Sequence, residues 1–193
     1  GLVRNLTPAE MLGQVYEVEK KYNIRVSNII LMGSGEPFDN YDNVLKFLKM
    51  LHSEEGHNLS YRNMTISTCG IVDKIKDLAN EKLPITLAIS LHNTNNISRD
   101  KIMPINRKYK IEDTIKACKY YSEKTGSRIT FEYTLIHGQN DSEENALELR
   151  ELLRGLKSHI NLIPLNPIEE YDEKRPDRGQ VESFKKKLEK LSL

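Results

Sequence analysis

Short apolar runs typical of β-strands alternate with amphipathic stretches typical of α-helices along almost the whole chain. Apolar residues at positions 44, 45, 48 and 51 recur at helical spacing, whereas the run at 29–32 (IILM) is short and continuous. Regular alternation of strands and helices favours a parallel sheet covered by the connecting helices. The pattern therefore predicts an α/β fold built on parallel strands.

The pattern predicts five strands, near residues 28–32, 64–68, 85–91, 128–136 and 160–165. It also predicts six helices. The first two begin near residues 8 and 41, and the other four cover 72–80, 111–124, 142–155 and 180–191. The first helix has the signature of a capping box, with Thr7 before Pro8 and Glu10. Because the series begins with a helix, we expect a first strand to be missing and the chain to come from a longer protein.

Three predicted strands carry bulky apolar side chains on one face and small or polar side chains on the other, since side chains alternate with period two. In the third strand the polar face consists of Thr86, Ala88, Ser90 and His92. A parallel strand covered on both faces is apolar on both. The polar face therefore predicts an open or partial barrel with a polar ligand inside. An antiparallel sheet with one wet face is the alternative, which the intervening helices disfavour.

Length and composition predict a single domain over residues 1–193, since 38% of the chain is hydrophobic and 30% is charged. No apolar stretch approaches the length of a membrane span, and we expect a cytoplasmic location without membrane partners. The formal net charge is +1, so any argument for nucleic-acid binding must come from local clusters.

Small or polar residues lie at the carboxyl ends of the predicted strands. They include Gly35, Glu36, Ser67, Ser90, His92, the segment HGQN at 137–140, and Asn166. The carboxyl ends of parallel strands meet at one rim, so we expect these residues to converge. A carboxylate, hydroxyls, an imidazole and an amide suit a small zwitterionic or ribose-bearing ligand. Taken singly, Ser and Asn at such places also simply close turns.

Five segments in order carry a resemblance to a known family: GSGEP at 33–37, TIST at 65–68, AISLH at 88–92, MPIN at 103–106 and NLIPLNP at 161–167. Together they resemble the radical S-adenosylmethionine (radical SAM) enzymes that methylate carbon 2 of an adenine in 23S ribosomal RNA and, in dual-specificity members, act on transfer RNA. The resemblance covers essentially the whole chain. It implies a partial (βα)6 TIM-like radical SAM barrel, which here lacks its first strand.

The resemblance also implies a cofactor site, with Glu36 binding the methionyl amino group of S-adenosylmethionine. The residues implied to contact S-adenosylmethionine are Gly35, Glu36, Ser67, Ser90, Leu91, His92 and Asn166. The implied partners are 23S rRNA, transfer RNA as a second substrate, and a reducing protein such as flavodoxin.

The family's 4Fe-4S cluster is held by cysteines spaced Cys-x3-Cys-x2-Cys, and its methyl group passes through a further cysteine. The chain has two cysteines, Cys69 and Cys118, which do not match this spacing. We expect the cluster motif to precede the segment GLVRNL at 1–6. We therefore expect the 193-residue chain to contain neither a catalytic residue nor a metal ligand and to be inactive. Cys118 is predicted to be core; Cys69 is predicted to be a small turn-adjacent residue, or an open thiol in the barrel.

Basic residues cluster after the third strand, where we expect a basic loop on the rim of the ligand site. The candidate RNA contacts are Arg99, Lys101, Arg107 and Lys108. Phosphate contacts of this kind supply affinity and position. The alternative is a solvated loop that leads into the next helix.

Three other functions stay open. The family's carbon-8 methyltransferases share much of the barrel. A metal-dependent barrel enzyme would use Glu36, His92 and Glu132, since carboxylates and imidazole suit divalent ions. A non-enzymatic RNA-binding barrel would use the basic cluster alone.

Overall fold

The computed structural model describes residues 3–166 and 173–189. The parts of the predictions that concern residues 1–2, 167 and 190–191 lie outside this range. In the described residues the strands are β1 (Ile29–Leu31), β2 (Met64–Thr68), β3 (Thr86–Ser90), β4 (Ile129–Leu135) and β5 (Ser158–Pro164). The α-helices are α1 (Pro8–Tyr22), α2 (Tyr41–His52), α3 (Val72–Asn80), α4 (Asn96–Ile102), α5 (Ile111–Thr125), α6 (Glu143–Leu152) and α7 (Arg178–Glu189).

The five strands form one parallel sheet in the order β1-β2-β3-β4-β5. Each strand lies beside its predecessor, so connections of one hand place the linking helices on one side of the sheet. Within the described chain the sheet is open, with β1 and β5 at its edges. The prediction of an α/β partial barrel with five parallel strands is confirmed.

Local signals begin and end the helices as the sequence indicates. The Thr7 hydroxyl accepts a hydrogen bond from the Glu10 N–H, and the Glu10 carboxylate accepts one from the Thr7 N–H, completing the predicted capping box. At the end of α5, Gly126 adopts a left-handed conformation with φ of 69°. None of the helices in residues 3–166 and 173–189 is long and apolar enough to cross a bilayer.

The core lies between the helices and the bulky face of the sheet, where Ile66, Leu87, Ile89 and Phe131 are buried. On the opposite face, positions such as Ser67 are only half-buried. The predicted alternation of a bulky and a polar face is therefore confirmed for the three central strands. The face without helices is the one available to a ligand.

The segment predicted as a basic loop contains α4, so the described chain has seven α-helices instead of the predicted six. The side chain of Asn95 begins α4 by accepting a hydrogen bond from the Ser98 N–H. Pro104 then starts a short 3-10 turn over Pro104–Arg107. The signal was weak because α4 has only seven residues and carries arginine and lysine among its apolar positions.

Candidate functional site

Glu36 lies just past β1, and its carboxylate joins two neighbouring strand ends. Oε1 accepts a hydrogen bond of 3.0 Å from the Phe38 N–H, which begins the 3-10 turn Pro37–Asn40. Oε2 accepts one of 2.8 Å from the Cys69 N–H, at the end of β2. Each oxygen keeps further acceptor capacity, so the carboxylate is held in place and still able to bind a cation.

The turn before Glu36 is open to solvent. Gly35 has φ of 100°, a conformation that favours glycine, and a Cβ built on Gly33 or Gly35 would meet no atom within 4 Å. The turn lines a cavity of about 590 Å³ beside β1. A larger cavity of about 1110 Å³, beside α6, β5 and α7, contains none of the predicted site residues. Because the two glycines have no side chains, a ligand in this cavity can contact the main chain of the turn directly.

The end of β3 makes a tight turn at Ser90, Leu91 and His92. The N–H groups of Leu91 and His92 both donate to the carbonyl oxygen of Glu132 on β4, at 3.0 and 3.2 Å. His92 has φ of 57°, a left-handed conformation that is uncommon outside glycine and asparagine. The Leu91 side chain is fully buried, whereas Ser90 and His92 are half-buried. Ser90 and His92 are therefore the side chains of this turn that a ligand can reach.

His92 is held as a neutral imidazole. Its Nδ1 accepts a hydrogen bond of 3.1 Å from the Thr134 N–H, which places the ring proton on Nε2. Burial, and then the nearby Arg99 charge, lower the pKa of His92 to about 4. At neutral pH this residue therefore presents a hydrogen-bond donor and carries no charge.

Asn140 holds the His92 turn from the side of β4. Its Nδ2 donates to the carbonyl oxygens of His92 and Thr134, at 2.8 and 2.7 Å, and its Oδ1 accepts from the Ile136 N–H at 2.7 Å. The side chain is fully buried. The sequence indicated only that residues 137–140 follow a strand, and this bracing role was missed.

Arg99 lies beneath the strand ends with none of its surface exposed. Its guanidinium donates to the carbonyl oxygens of Cys69, Ser90 and Leu91 and to the Asn106 side chain, at 2.9 to 3.0 Å. A buried arginine does not lie on a surface that RNA can reach. The expectation of an RNA contact at Arg99 is therefore wrong.

The other three candidate RNA contacts are exposed. Lys101 is in the last turn of α4, while Arg107 and Lys108 lie at the end of the following 3-10 turn. The Lys108 ammonium lies 4.8 Å from the ring centre of Tyr109, a cation–π contact. These three cations occupy a segment that follows the β3 end, as the sequence predicted.

The remaining predicted site residues lie on the same open face or rim. Ser67 is half-buried on β2, and Asn166 is exposed two positions past β5. Between them, the buried Glu132 pairs in register with Ser90 on β3 and with Asn161 on β5. Its Oε2 accepts a hydrogen bond of 2.7 Å from the Asn161 amide. The open face therefore carries hydroxyl, carboxylate and amide groups side by side.

Neither cysteine has the character of a metal ligand or a nucleophile. Cys118 is fully buried on α5 and burial raises its pKa, so its predicted place in the core is confirmed. Cys69 is half-buried, and burial together with the Glu36 carboxylate raises its pKa to about 12. Metal-binding and reactive cysteines need the thiolate, which this environment disfavours.

The side chains proposed for a metal-dependent enzyme do not assemble into a metal site. Within residues 3–166 and 173–189, no group of three or more His, Cys, Asp and Glu side chains is placed to hold an ion. Glu36 instead accepts from backbone N–H groups, and His92 Nδ1 accepts from the Thr134 N–H. The alternative of a metal site built on Glu36, His92 and Glu132 is therefore wrong for the described chain.

Comparison with known proteins gives a consistent family. The model of the radical SAM superfamily matches residues 1–150. A relative from Lachnospira eligens, named "Probable dual-specificity RNA methyltransferase RlmN", is 55% identical over 193 residues, covering all of this chain and 55% of the relative. A relative of the same name from Clostridioides difficile is 48% identical over the whole chain and 56% of its own length. The chain thus spans about half the length of these curated relatives.

Solved structures agree with the fold. A radical SAM methyltransferase from Sphaerobacter thermophilus is 44% identical, with a TM-score of 0.94 over 100% of this chain and 57% of that one. A domain of a pyruvate-formate lyase-activating enzyme from Bacteroides vulgatus is 14% identical, with a TM-score of 0.61 over 87% of this chain and 96% of that one. The second likeness concerns the fold alone.

Proposed function

The chain belongs to the radical SAM superfamily, and from that premise we propose that it forms the cofactor-binding core of an RNA methyltransferase. We propose that the whole protein methylates carbon 2 of an adenine in 23S rRNA, with transfer RNA as a second substrate. The names of relatives that are 55% and 48% identical over all 193 residues support this class of reaction and substrate.

The arrangement that carries the proposal is the Glu36 carboxylate, bonded to Cys69 N–H beside the Ser90–His92 turn. A fixed carboxylate binds an ammonium group strongly, which fits the methionyl amino group of S-adenosylmethionine. The hydroxyls of Ser67 and Ser90 suit a carboxylate or ribose hydroxyls. The full proposed set is Gly35, Glu36, Ser67, Ser90, His92 and Asn166. Leu91, also expected to contact the cofactor, is fully buried, and its N–H and carbonyl oxygen are bonded to Glu132 and Arg99, so it is left out of the set.

The donor set of this chain fits S-adenosylmethionine but not a 4Fe-4S cluster. Two cysteines, one fully buried and one with a pKa raised to about 12, do not supply three thiolates. We propose that the 193-residue chain alone transfers no methyl group. In the whole enzyme, a reducing protein such as flavodoxin is the proposed electron source.

The proposed RNA surface consists of Lys101, Arg107 and Lys108, which are exposed in the segment that follows β3. Lysine and arginine contacts to phosphates give affinity that falls as salt rises. Phosphate contacts position the RNA, so recognition of the target adenine is proposed to depend on other groups. We propose that the chain acts as a single domain in the cytoplasm.

Nucleoside analysis of the organism that carries the gene tests the proposal. Deleting the gene is expected to remove 2-methyladenosine from digests of 23S rRNA, measured by liquid chromatography and mass spectrometry. Restoring the native gene should return the nucleoside, and a Glu36→Gln copy should not, because the amide lacks the charge that binds an ammonium group. A Glu144→Gln copy is the matched control, because Glu144 is exposed on α6.

Other outcomes assign other functions. Loss of 8-methyladenosine would support the carbon-8 reaction, and parallel loss from transfer RNA would support dual specificity. An unchanged set of modified nucleosides contradicts the methyltransferase proposal. Salt-dependent RNA binding by the native protein in that case would support a binding module without catalysis.

A further inference from the structure

We propose that Arg99 is a positioning residue of the cofactor site, and that its guanidinium sets the relative positions of Glu36 and the Ser90–His92 turn. This inference rests on the proposed function, because it names the residue that organises that same site. Arg99 acts through the main chain, since its side chain has no exposed surface.

The guanidinium connects the ends of two neighbouring strands. Nη2 donates to the carbonyl oxygen of Cys69 after β2 at 2.9 Å, and to that of Ser90 at the end of β3 at 3.0 Å. Nε donates to the carbonyl oxygen of Leu91 at 3.0 Å. Three carbonyl groups from two strands therefore converge on one planar group. A shift of either strand end would break at least one of these bonds.

Cys69 carries the effect from Arg99 to Glu36. Its carbonyl oxygen accepts from Arg99, while its N–H donates to Glu36 Oε2 at 2.8 Å. Cys69 is thus bonded through its carbonyl oxygen to the guanidinium and through its N–H to the candidate ligand-binding carboxylate. The Cys69 carbonyl and the Ser90 carbonyl share one nitrogen of Arg99, so Glu36 and Ser90 are tied to a common point.

The geometry requires arginine rather than lysine. Guanidinium offers five donors in a rigid planar fan, whereas an ammonium offers three donors from one atom at the end of a flexible chain. Within the described chain Arg99 is in none of the ion pairs, and the partners of its charge are carbonyl and amide oxygens. Burying such a charge is costly unless it is well hydrogen-bonded. The bonds to the strand ends meet that need.

Asn106 and its hydrogen-bond partners hold the Arg99 side chain in place. Nη1 donates to Asn106 Oδ1 at 2.9 Å, and the Asn106 amide donates to Asp100 Oδ1 at 2.6 Å and to the Asn96 carbonyl oxygen at 3.2 Å. Asn106 is fully buried. It belongs to the MPIN segment at 103–106, which marks the family resemblance yet supplies none of the proposed ligand contacts. Support of Arg99 gives this segment a role.

Four variants of the native protein test the inference. Arg99→Lys keeps the charge and loses the fan of donors, and Arg99→Gln loses both. Asn106→Ala is milder, because it leaves the three carbonyl bonds of Arg99 in place. Leu149→Ala is the control for destabilisation, since Leu149 is fully buried on α6 and its apolar side chain makes no hydrogen bond to the strand ends. S-adenosylhomocysteine affinity is measured by calorimetry, and backbone amide exchange by mass spectrometry, below the unfolding midpoint of every variant.

We expect Arg99→Lys and Arg99→Gln to weaken S-adenosylhomocysteine binding about tenfold or more, because small misplacements of positioning groups have effects of this size. Amide exchange should rise at Cys69, Leu91 and His92, where local opening becomes easier. Asn106→Ala should change both readouts in the same direction by less. Leu149→Ala should lower the unfolding midpoint while leaving the affinity and the local exchange unchanged.

The inference is overturned if Arg99→Lys or Asn106→Ala binds like the native protein with unchanged local exchange. It is also overturned if exchange rises evenly over the whole chain, or if Leu149→Ala loses affinity to the same degree, since Arg99 would then be an ordinary core residue. If the native protein binds no S-adenosylhomocysteine, the proposed function fails instead. In that case amide exchange alone tests the positioning role: a rise confined to Cys69, Leu91 and His92 in the Arg99 variants supports it, and an even rise over the whole chain contradicts it.

Discussion

The centre and the two margins of the candidate site are built in different ways. At the centre, buried side chains hold the main chain after β2 and β3: Arg99 bonds the carbonyl oxygens of Cys69 and Ser90, and Asn140 bonds that of His92. At the margins, the glycine turn at 33–35 and Asn166 are exposed. Hydrogen bonds within the fold therefore fix the main-chain conformation at the centre of the site. In the described chain, the exposed residues at the margins lack such bonds and can adjust their conformation to a bound ligand.

This difference separates two kinds of site residue. A residue at the centre contributes to the stability of the chain and to the site together, so its replacement changes both. A side chain at the margin has little buried contact to lose, so its removal should change ligand binding and leave the free energy of unfolding almost unchanged. Gly35 is the exception, because its φ of 100° strains any other residue at that position. Free energies of unfolding and ligand affinities, measured on the same variants, distinguish the two kinds.

The largest expected contrast is between two asparagines. Asn140→Ala should lower the free energy of unfolding by about 3 kcal/mol, because it leaves the Ile136 N–H and the carbonyl oxygens of His92 and Thr134 without their buried partner. Asn166→Ala should change it by less than about 0.5 kcal/mol, because Asn166 is exposed. Urea unfolding of both variants makes the comparison. Equal losses would mean that centre and margin do not differ in this way.

The next contrast concerns pH. The pKa of His92 is about 4 in the folded chain and near 6.5 when unfolded, so the unfolded chain binds a proton first as the pH falls. The contribution of His92 is fully present above about pH 6.5 and is lost towards pH 4. From this residue we expect a loss of about 2 kcal/mol between pH 7.5 and pH 5.

His92→Asn is the control for that pH effect, because asparagine tolerates the left-handed conformation and does not titrate. Urea unfolding at several pH values should show a shallower fall in stability for the variant than for the native chain. If both chains lose stability in parallel across this range, His92 is not held as a neutral imidazole in the folded chain.

The smallest contrast concerns two glycines. Gly70 and Gly35 have similar φ angles, 103° and 100°, so alanine is strained at both by about 1–3 kcal/mol. An added Cβ at Gly70 would also lie 3.2 Å from the Thr114 side chain, whereas at Gly35 it would meet open space. Gly70→Ala should therefore cost about 1 kcal/mol more than Gly35→Ala. Thermal unfolding of the two variants measures the difference, and a reversed order would contradict the packing described at Gly70.

The fold was predictable because its signals are periodic and local. Strand β2 and helix α3 have the predicted bounds, and the alternation of polar and bulky faces identified the open side of the sheet. Helix α4 was missed since its helical periodicity is short, and an arginine in a basic segment resembles a surface residue by sequence. The burial of Arg99 depends on carbonyl groups from distant strands, which no local pattern reveals.

The position of the site at the strand ends was predictable from the sequence, whereas the hydrogen bonds that hold its residues in place were not. Glu36 lies at a strand end as expected, because a glycine-rich turn after an apolar run is a local signal. Its partner, the Cys69 N–H, comes from the next strand and was not foreseen. Asn140 likewise looked like a turn residue, yet it bonds three backbone groups from within the core.

The central claim is that the Glu36 carboxylate is part of a site for S-adenosylmethionine. The most direct test is calorimetric titration with S-adenosylhomocysteine, which keeps the α-amino group that S-adenosylmethionine carries on its methionyl portion. The titrated proteins are the native protein, Glu36→Gln and the exposed control Glu144→Gln. We expect about tenfold or more weaker binding for Glu36→Gln, in line with the loss of a charge-assisted hydrogen bond, and unchanged binding for Glu144→Gln. Equal affinity of Glu36→Gln and the native protein, or no binding by the native protein, would contradict the account.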